Sequence, residues 1–516
     1  MRGTSGSDRL FGTAGPDVIL GFASRDYLEG RRGGDLLNGG TGRDTVFAGT
    51  GADRIAAAFD GSVDRIDCGL GRDVATAELF DKVAANCEVV SRQLSRDRFR
   101  GLGAQEGTEV EPDSFSNGKV VVATFQIGRF KNGGALAIGF ATSRDAGKTW
   151  RSGVLPSLTP VSTPAGAEAV ADSTVAYDAV HRRWLIASLG AYRNSDAVLI
   201  SHSRDGLAWG APSVALRAKE GPDKSWLACD NWRKSRFRGH CYVTYLDGAT
   251  GGISMRTSGD GGRRWSAAVA VTDGANQTHT VNGAQPLIRP DGAVLVVFTA
   301  TARHVSLTPD EIAVARSVDG GASFGPQMRV AVVDRQDLGF LQLRAPQFVS
   351  GDVDAGGAVH LVWAGCAGQR CNDSDVALAS SQDGVEWSAP VRVPTVPLGS
   401  GIQSFLPALA VAAGSEPGHT RLAVLYYTMD CGLVTCPINA SLITSGDGGR
   451  TWNPPRPLSS ESMRPTWLAN TTLGRMLGDY VSVSYAGRRW VPVFALATAP
   501  AGRRFKESIF ATQIPR

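Results

Sequence analysis

The chain contains no run of about 18 consecutive apolar residues, the length a bilayer-spanning helix needs, so no helix of it is expected to cross a membrane. It has no block of clustered lysine and arginine, and its 53 basic residues stand against 49 acidic ones for a net charge of +4; a nucleic-acid-binding surface is not expected. The opening "MRGTSGSDRL" lacks the apolar stretch of a signal peptide. The seven histidines form no His-Glu-x-x-His pair, which argues against a zinc hydrolase. Also missing are Cys-x-x-Cys, the Gly-x-Ser-x-Gly nucleophile elbow and a phosphate-cradling Gly-x-x-x-x-Gly-Lys loop.

What is present is turn chemistry. With 63 glycines, 25 prolines, 42% hydrophobic and 20% charged residues among 516, the composition favours many short strands over long helices and more than one domain. The eight cysteines fall into four close pairs: Cys68 with Cys87, Cys229 with Cys241, Cys366 with Cys371, and Cys431 with Cys436. Such local pairing reads as short-loop disulfides, with buried free thiols as the alternative, and points to an oxidising compartment. The expectation is a secreted, extracellular protein whose leader is not part of this sequence.

A first repeat occupies the N-terminus. Asp8, Asp17, Asp26, Asp35, Asp44 and Asp53 recur every nine residues, with glycines five and two residues before most of them and Leu10, Ile19, Leu28, Leu37, Val46 and Ile55 two after. A glycine-rich turn followed by a short strand with one inward apolar side chain is the unit of a parallel β-roll. Turn glycines let backbone carbonyls face inward, and successive carboxylates complete the oxygen cage that Ca2+ prefers. A metal-free solenoid is the poorer account, because its stacked carboxylates would repel one another. The pattern resembles the RTX, or hemolysin-type, calcium-binding repeat over about residues 1 to 60. Ser24 stands where the second glycine belongs and Ala48 where the first does, so one or two sites are expected to be weak. After Asp53 the spacing slips to Asp64 and Asp73, and the stretch to Val90, pinned by Cys68 and Cys87, reads as a closing cap.

A second, longer repeat follows residue 100. "SRDAGKTW", "SRDGLAWG", "SGDGGRRW", "SVDGGASF", "SQDGVEWS" and "SGDGGRTW" place Asp145, Asp205, Asp260, Asp319, Asp383 and Asp447 in like turns. Each aspartate can accept backbone N–H groups of a tight turn, a glycine supplies a positive φ, and the aromatic packs between strands, so these aspartates read as structural. The pattern is similar to the Asp box, or BNR repeat, of sialidase-like β-propellers, a resemblance covering residues 105 to 516.

The fold expected is therefore all-β: a β-roll with a disulfide cap over residues 1–90, a linker or closing strand at 91–104, and an Asp-box propeller over 105–516. Seven blades are favoured, the last completed by a strand from residues 88 to 110, with six as the alternative. Innermost propeller strands ring a channel whose mouth commonly carries the site. The residues opening those strands are polar: Glu111 and Asp113, Asp172, Asp223 with Lys224, Gln285, Arg344 with Gln347, Gln403, and Asp479 with Tyr480; Gln126 and Arg129 reach toward the same place. The candidate catalytic set is Glu111, Arg129, Asp172, Asp223, Arg344, Asp479 and Tyr480, with acids for proton transfer and arginines for a carboxylated ligand. The bland reading of the same residues is a wet channel of solvated polar groups.

The resemblance implies a glycoside-active enzyme, exo-sialidase-like or acting on another acidic glycan, in which Arg129 and Arg344 serve as clamp members and Tyr480 as nucleophile. The sequence departs from the family at its entry arginine: only "FRG" at 99–101 stands for Phe-Arg-Ile-Pro. The alternative is a non-catalytic extracellular propeller that binds a glycan or protein. Ca2+ is the expected cofactor, a glycan the expected partner and a monomer the expected state.

Overall fold

The structure is a computed structural model that describes all residues except 160, 162–165, 275–278, 304–309, 334–337, 339–342, 366–373, 415–418, 433–434 and 516. Among the described residues it is all-β, with only a single 3-10 turn at Pro465–Trp467.

Two nonapeptides make one coil. Arg9–Phe11, Tyr27–Glu29, Thr45–Phe47, Arg65–Asp67 and Lys82–Val83 form one parallel sheet. Val18–Leu20, Leu36–Asn38, Arg54–Ala57, Val74–Glu78 and Val89–Gln93 form the other. The middle residue of each early strand points inward, so Leu10, Leu28, Val46 and Ile66 stack in one sheet opposite Ile19, Leu37, Ile55 and Ala75 in the other, all buried. Each large member removes enough apolar area from water to contribute on the order of 2 kcal/mol. The slip in spacing after Asp53 is absorbed by a longer turn: Val46 pairs Ile66 and Ile55 pairs Ala75, so both sheets continue unbroken. Ser24, in a glycine position, takes a left-handed φ of 74°.

From Glu109 onward the strands run as antiparallel meanders of four. Their innermost strands are Glu109–Asn117, Ala169–Asp178, Asp223–Cys229, His279–Ile288, Ser350–Val353, Ile402–Val411 and Ser482–Ala486. Each packs against the next, and the last returns against the first. Side chains bond across these joints. Asp113 accepts from Val175 N–H at 2.8 Å, Thr174 from Leu227 at 3.1 Å, Gln285 from Gly351 at 2.8 Å, Asp352 from Val411 at 2.7 Å, and Ser482 from Ser114 at 3.0 Å. These bonds satisfy inner-strand amides that neither neighbouring strand takes up, a requirement for any buried backbone donor.

The last meander has three strands of its own, Ser482–Ala486, Arg489–Ala501 and Arg504–Ala511. Its fourth is Val89–Gln93, which pairs antiparallel with Arg504–Ala511 on one edge and parallel with Val74–Glu78 on the other. One continuous sheet thus runs from the roll into the ring. The roll also bonds to the segment after the preceding meander: Asn38 donates to Glu461 at 3.1 Å, Arg54 to the Ser459 carbonyl at 3.3 Å and Ser91 to the Leu458 carbonyl at 2.5 Å, while Thr76 meets the Ser460 hydroxyl at 2.6 Å.

The repeated aspartate turns are built alike. In the first, Ser143 donates to Asp145 at 2.8 Å, Gly147 N–H returns to Ser143 at 2.7 Å, Thr149 N–H donates to Asp145 at 2.8 Å, and Trp150 Nε1 donates to the Gly147 carbonyl at 2.9 Å. The second turn, one residue shorter, keeps the tryptophan bond from Trp209 to Gly206 at 3.1 Å. Disulfides join Cys68 to Cys87, Cys229 to Cys241 and Cys431 to Cys436; Cys366 and Cys371 lie outside the described residues.

Two fully buried acids beside the ring joints hold their protons. Burial pushes Glu109 up to about 8, against the opposing pull of the Ser95 hydroxyl, and Asp113 up to about 7. A carboxyl whose pKa rises on folding binds its proton more tightly in the native state, so the stability it confers is lost as pH rises through the native value. With calcium held in excess, the melting temperature is expected to fall as pH rises from about 5, above the ordinary carboxyl values of the unfolded chain, to about 8, and to level off above that. In Glu109→Gln the slope should be shallower; a parallel melting profile in that variant would refute the assignment.

Candidate functional site

Several inner strands carry a β-bulge at the same place, and the bulged residue takes a left-handed φ: 55° at Glu111, 47° at Asp172, 50° at Lys224 and 70° at Gly283. Non-glycine residues tolerate this conformation at a cost of order 1–3 kcal/mol, and such strain concentrates at functional sites. At Gly283 a side chain has no room, because a Cβ would lie 2.6 Å from the ring of Phe348.

The bulges bring Glu111, Asp172 and Lys224 together with Asp479 and Tyr480, which precede the last inner strand, and with Arg344. Arg344 grips Asp479 through Nε at 2.7 Å and through Nη2, a bidentate pair. Lys224 is 3% exposed; its ammonium lies 3.5 Å from Asp479 Oδ2, 4.0 Å above the Tyr480 ring and 5.0 Å from that of Phe348, with no hydrogen-bond partner of its own. Glu111 accepts from Asp479 N–H at 3.2 Å and from the Gln126 amide, whose oxygen takes a bond from Arg129 at 2.9 Å. Asp172 accepts the Lys224 N–H at 3.1 Å. The Tyr480 hydroxyl donates to the Ser173 carbonyl at 3.2 Å, and its ring meets Trp226 edge-on at 5.2 Å.

The candidate residues thus divide. Glu111, Asp172, Arg344, Asp479 and Tyr480 converge, and Arg129 joins through Gln126. Asp223 is exposed and caps the Lys224 N–H at 2.9 Å, outside the buried cluster. Gln285, Gln347 and Gln403 turn to backbone groups, and Arg100 of "FRG" sits 3.6 Å from Glu106 at the surface. Lys224, absent from the catalytic set read from sequence, lies at the centre. Its only signal was its place beside Asp223 at the head of an inner strand.

Burial first, then the neighbouring Asp479 and Asp172, hold Glu111 at about 7 although Lys224 pulls it down. Burial also raises Asp172. Burial acts on Asp479 in the same sense, but Lys224 and Arg344 overcome it and keep that carboxylate ionised. Burial and four surrounding carboxyls push the Tyr480 phenol far up, so it stays protonated. Acids driven apart on one axis, one able to carry a proton near neutrality and one ionised, are the arrangement general acid–base chemistry needs.

The predicted metal ligands form a second centre. Asp8, Asp17, Asp26, Asp35, Asp44 and Asp53 stand in two ladders, one on each side of the roll. Each backbone N–H donates at 2.7–2.8 Å to Oδ1 of the aspartate one coil on: Asp8 to Asp26, Asp17 to Asp35, Asp26 to Asp44 and Asp35 to Asp53. The ladders outlast the regular spacing: Asp44 donates to Asp64, Asp53 to Asp73, Asp64 to Asp81 and Asp73 to Glu88. The second oxygens of Asp26, Asp35, Asp44 and Asp53 are buried without a partner. The missing Cβ of Gly21 leaves a space that Asp26 Oδ2 approaches to 2.4 Å and the Gly39 carbonyl to 2.5 Å, and that of Gly30 a space likewise shared by Asp35 Oδ2 and the Ala48 carbonyl, both at 2.4 Å. A carboxylate and a carbonyl oxygen converging on a gap without a donor suit a hard cation. Among the described residues no three acidic, histidine or cysteine side chains gather at one point, so carbonyls would supply most of the ligands.

Residues 2–37, 29–63 and 38–75 match the RTX calcium-binding nonapeptide repeat. No curated protein matches the chain. Among solved structures, an ulvan lyase described as a polysaccharide lyase and bound to a GlcA–Rha3S saccharide aligns at 11% identity over 82% of this chain and 95% of its own, with a TM-score of 0.50. The leech intramolecular trans-sialidase aligns at 12% identity over 64% of this chain and 67% of its own, with a TM-score of 0.44. An α-L-arabinanase from Penicillium chrysogenum aligns at 14% over 65% and 92%, also at 0.44. At these identities only the lyase bears on the argument, and on the fold alone. The N-terminal repeats are RTX repeats of the calcium-binding kind.

Two outcomes follow for these centres. Chelation is expected to unfold the roll, seen as a calcium-dependent far-ultraviolet spectrum, and Asp35→Ala should weaken calcium binding in calorimetry; a spectrum indifferent to chelator would count against the cage. Lys224→Met should cost about 3 kcal/mol, the scale for stranding buried charge, and adding Asp172→Asn should recover part of it.

Proposed function

We propose that the protein is a secreted, calcium-binding, glycan-active enzyme. On this reading an RTX roll over residues 1–90 is joined to a seven-bladed, sialidase-like Asp-box propeller over 105–516, and the axial cluster acts on an acidic glycan. Support for seven blades comes from the seven inner strands that pack in a closed circuit. Support for export comes from the RTX match and the disulfides.

The observation that carries the enzymatic reading is the opposed pair of buried carboxyls: Glu111 held at about 7 and Asp479 kept ionised by Lys224 and Arg344. Glu111, aided by Asp172, protonates the leaving glycosidic oxygen as its bond to the anomeric carbon breaks, while the ionised Asp479 accepts a proton from the water whose oxygen bonds to that carbon. Lys224, Arg344 and Arg129 provide the positive field that draws a carboxylated sugar to the axis. Tyr480 gives Lys224 an aromatic floor. The GlcA-containing saccharide bound by the lyase is an acidic glycan of the same broad class.

A second reading has its own observation. Arg344 is already paired through both nitrogens with Asp479, as in a clamp that is structurally satisfied, which favours a binding propeller without turnover. A panel of acidic glycosides and polysaccharides separates the two. Hydrolysis is expected on at least one, reduced about 100-fold or more in Glu111→Gln and Asp172→Asn. Saturable binding with no product, or rates unchanged in both variants, would sink the enzymatic reading.

A further inference from the structure

The two outward faces of the roll are unlike. The sheet containing Asn38, Arg54, Thr76 and Ser91 is docked on residues 458–461 of the ring. On the opposite sheet, strand register sets Arg9, Tyr27, Thr45 and Arg65 in one outward column and Phe11, Glu29, Phe47 and Asp67 in the next. Phe11, Tyr27 and Phe47 are half-exposed and form a continuous aromatic row, with centroids 5.8 Å and 5.7 Å apart. Two guanidiniums lie on this row: Arg9 is 4.7 Å from the Tyr27 centroid, and Arg31 is 5.5 Å from that of Phe11. A shallow groove beside it is lined by Tyr27, Glu29, Arg31, Arg32, Phe47 and Thr50. Among the described residues no hydrogen bond or ion pair ties this face to the ring.

We propose that this face is a docking surface for an acidic polysaccharide, separate from the axial cluster. The charge supports it. Arg9, Arg31, Arg32 and Arg65 are exposed, against two acids: Glu29 lies 3.6 Å from Arg31 and accepts the Tyr27 hydroxyl, and Asp67 is bonded to Asn86 and to Gly69 N–H, which leaves the arginines in excess. Stacking on an aromatic ring fixes a guanidinium plane; Arg31 turns its Nε toward Glu29 at 3.6 Å, and the remaining N–H groups of the two guanidiniums can meet a carboxylate or sulfate. The rings offer apolar faces to the C–H side of a sugar, and the parallel coils repeat both groups along one axis, as a polymer requires. The buried ladder aspartates point their free oxygens inward, so they do not offset the arginines on this surface. The choice of a polysaccharide over another polyanion rests on the glycan reading above; the surface itself stands on the roll alone.

The test is affinity electrophoresis of the full chain with calcium present, in gels containing polygalacturonate, neutral dextran or no polymer, with flotation on phosphatidylserine vesicles alongside. Polygalacturonate should retard the protein, less so as salt is raised. Arg9→Glu/Arg31→Glu should bind at least about tenfold more weakly, the loss expected of two charge-assisted contacts, with calcium-dependent melting unchanged. If that variant does not fold, Arg9→Gln/Arg31→Gln takes its place. Absence of retardation by polygalacturonate, equal retardation by dextran, undiminished binding in the folded variant, or capture by vesicles alone would overturn the proposal. Turnover of a small glycoside should be the same in variant and wild type, so failure of this surface and failure of the axial enzyme are read separately.

Discussion

A carboxylate taken out of water must find donors or cations, and this constraint organises the molecule at every level. In the roll, Asp26, Asp35, Asp44, Asp53 and Asp73 each give one oxygen to the backbone amide of the aspartate one coil earlier and leave the other without a donor, open to a cation. In the repeated turns, the aspartate collects two or more N–H and hydroxyl donors, which hold Asp319, Asp383 and Asp447 down at about 2. At the ring joints, Asp113 and Asp352 use the same device to stitch one meander to the next. On the axis the shortage involves both signs of charge: burial holds Glu111 and Asp172 above the ordinary carboxylate range, and the buried Lys224 ammonium has no hydrogen-bond partner.

Strain reinforces the same distinction. The inner strands would be regular without their bulges, and the left-handed residues at Glu111, Asp172 and Lys224 break the pleat so that three charged side chains meet. The closed circuit of inner strands over-determines those positions, which is the condition under which such backbone persists. Gly283, at the corresponding place, instead makes room for Phe348 near the lysine.

How much was legible follows from what each feature requires. The nonapeptide period is a local rule, one aspartate and one apolar residue per turn, and it can be read from Asp8 to Asp53 without knowing the fold. Past Asp53 the slip to Asp64 and Asp73 can be seen in the sequence, but the ladder's extension to Asp81 and Glu88 was hidden, because the spacing there shortens and a glutamate replaces the aspartate while the pairing survives. Likewise the turns around Asp145 and its counterparts announce themselves, since donor and acceptor lie within four residues. The axial site is not local. Arg344 and Asp479 are 135 residues apart, Glu111 and Asp479 are 368 apart, and only ring closure makes them neighbours. Polar residues heading inner strands narrowed the search, yet Gln285 and Gln403 satisfy the same description and serve backbone groups. Asp223 and Lys224 are adjacent in sequence, and the bulge sends one to the surface and the other inward.

The strand Val89–Gln93 carries a consequence for how the chain reaches this state. Its partner in the ring is Arg504–Ala511, so the two edges meet only after more than four hundred intervening residues have been made, and Ile509 accepts from Leu94 N–H at 2.7 Å as one of the last contacts available. Contacts of such separation form slowly, because the loop must close before the pairing rewards it. Until then the ring is an open arc with two bare strand edges, the form most prone to pair with another copy. The roll, built from contacts about twenty residues apart or fewer, can fold first and hold its strand ready. It thereby acts as a template for completing the ring, and the order of assembly is written into the position of a single five-residue strand.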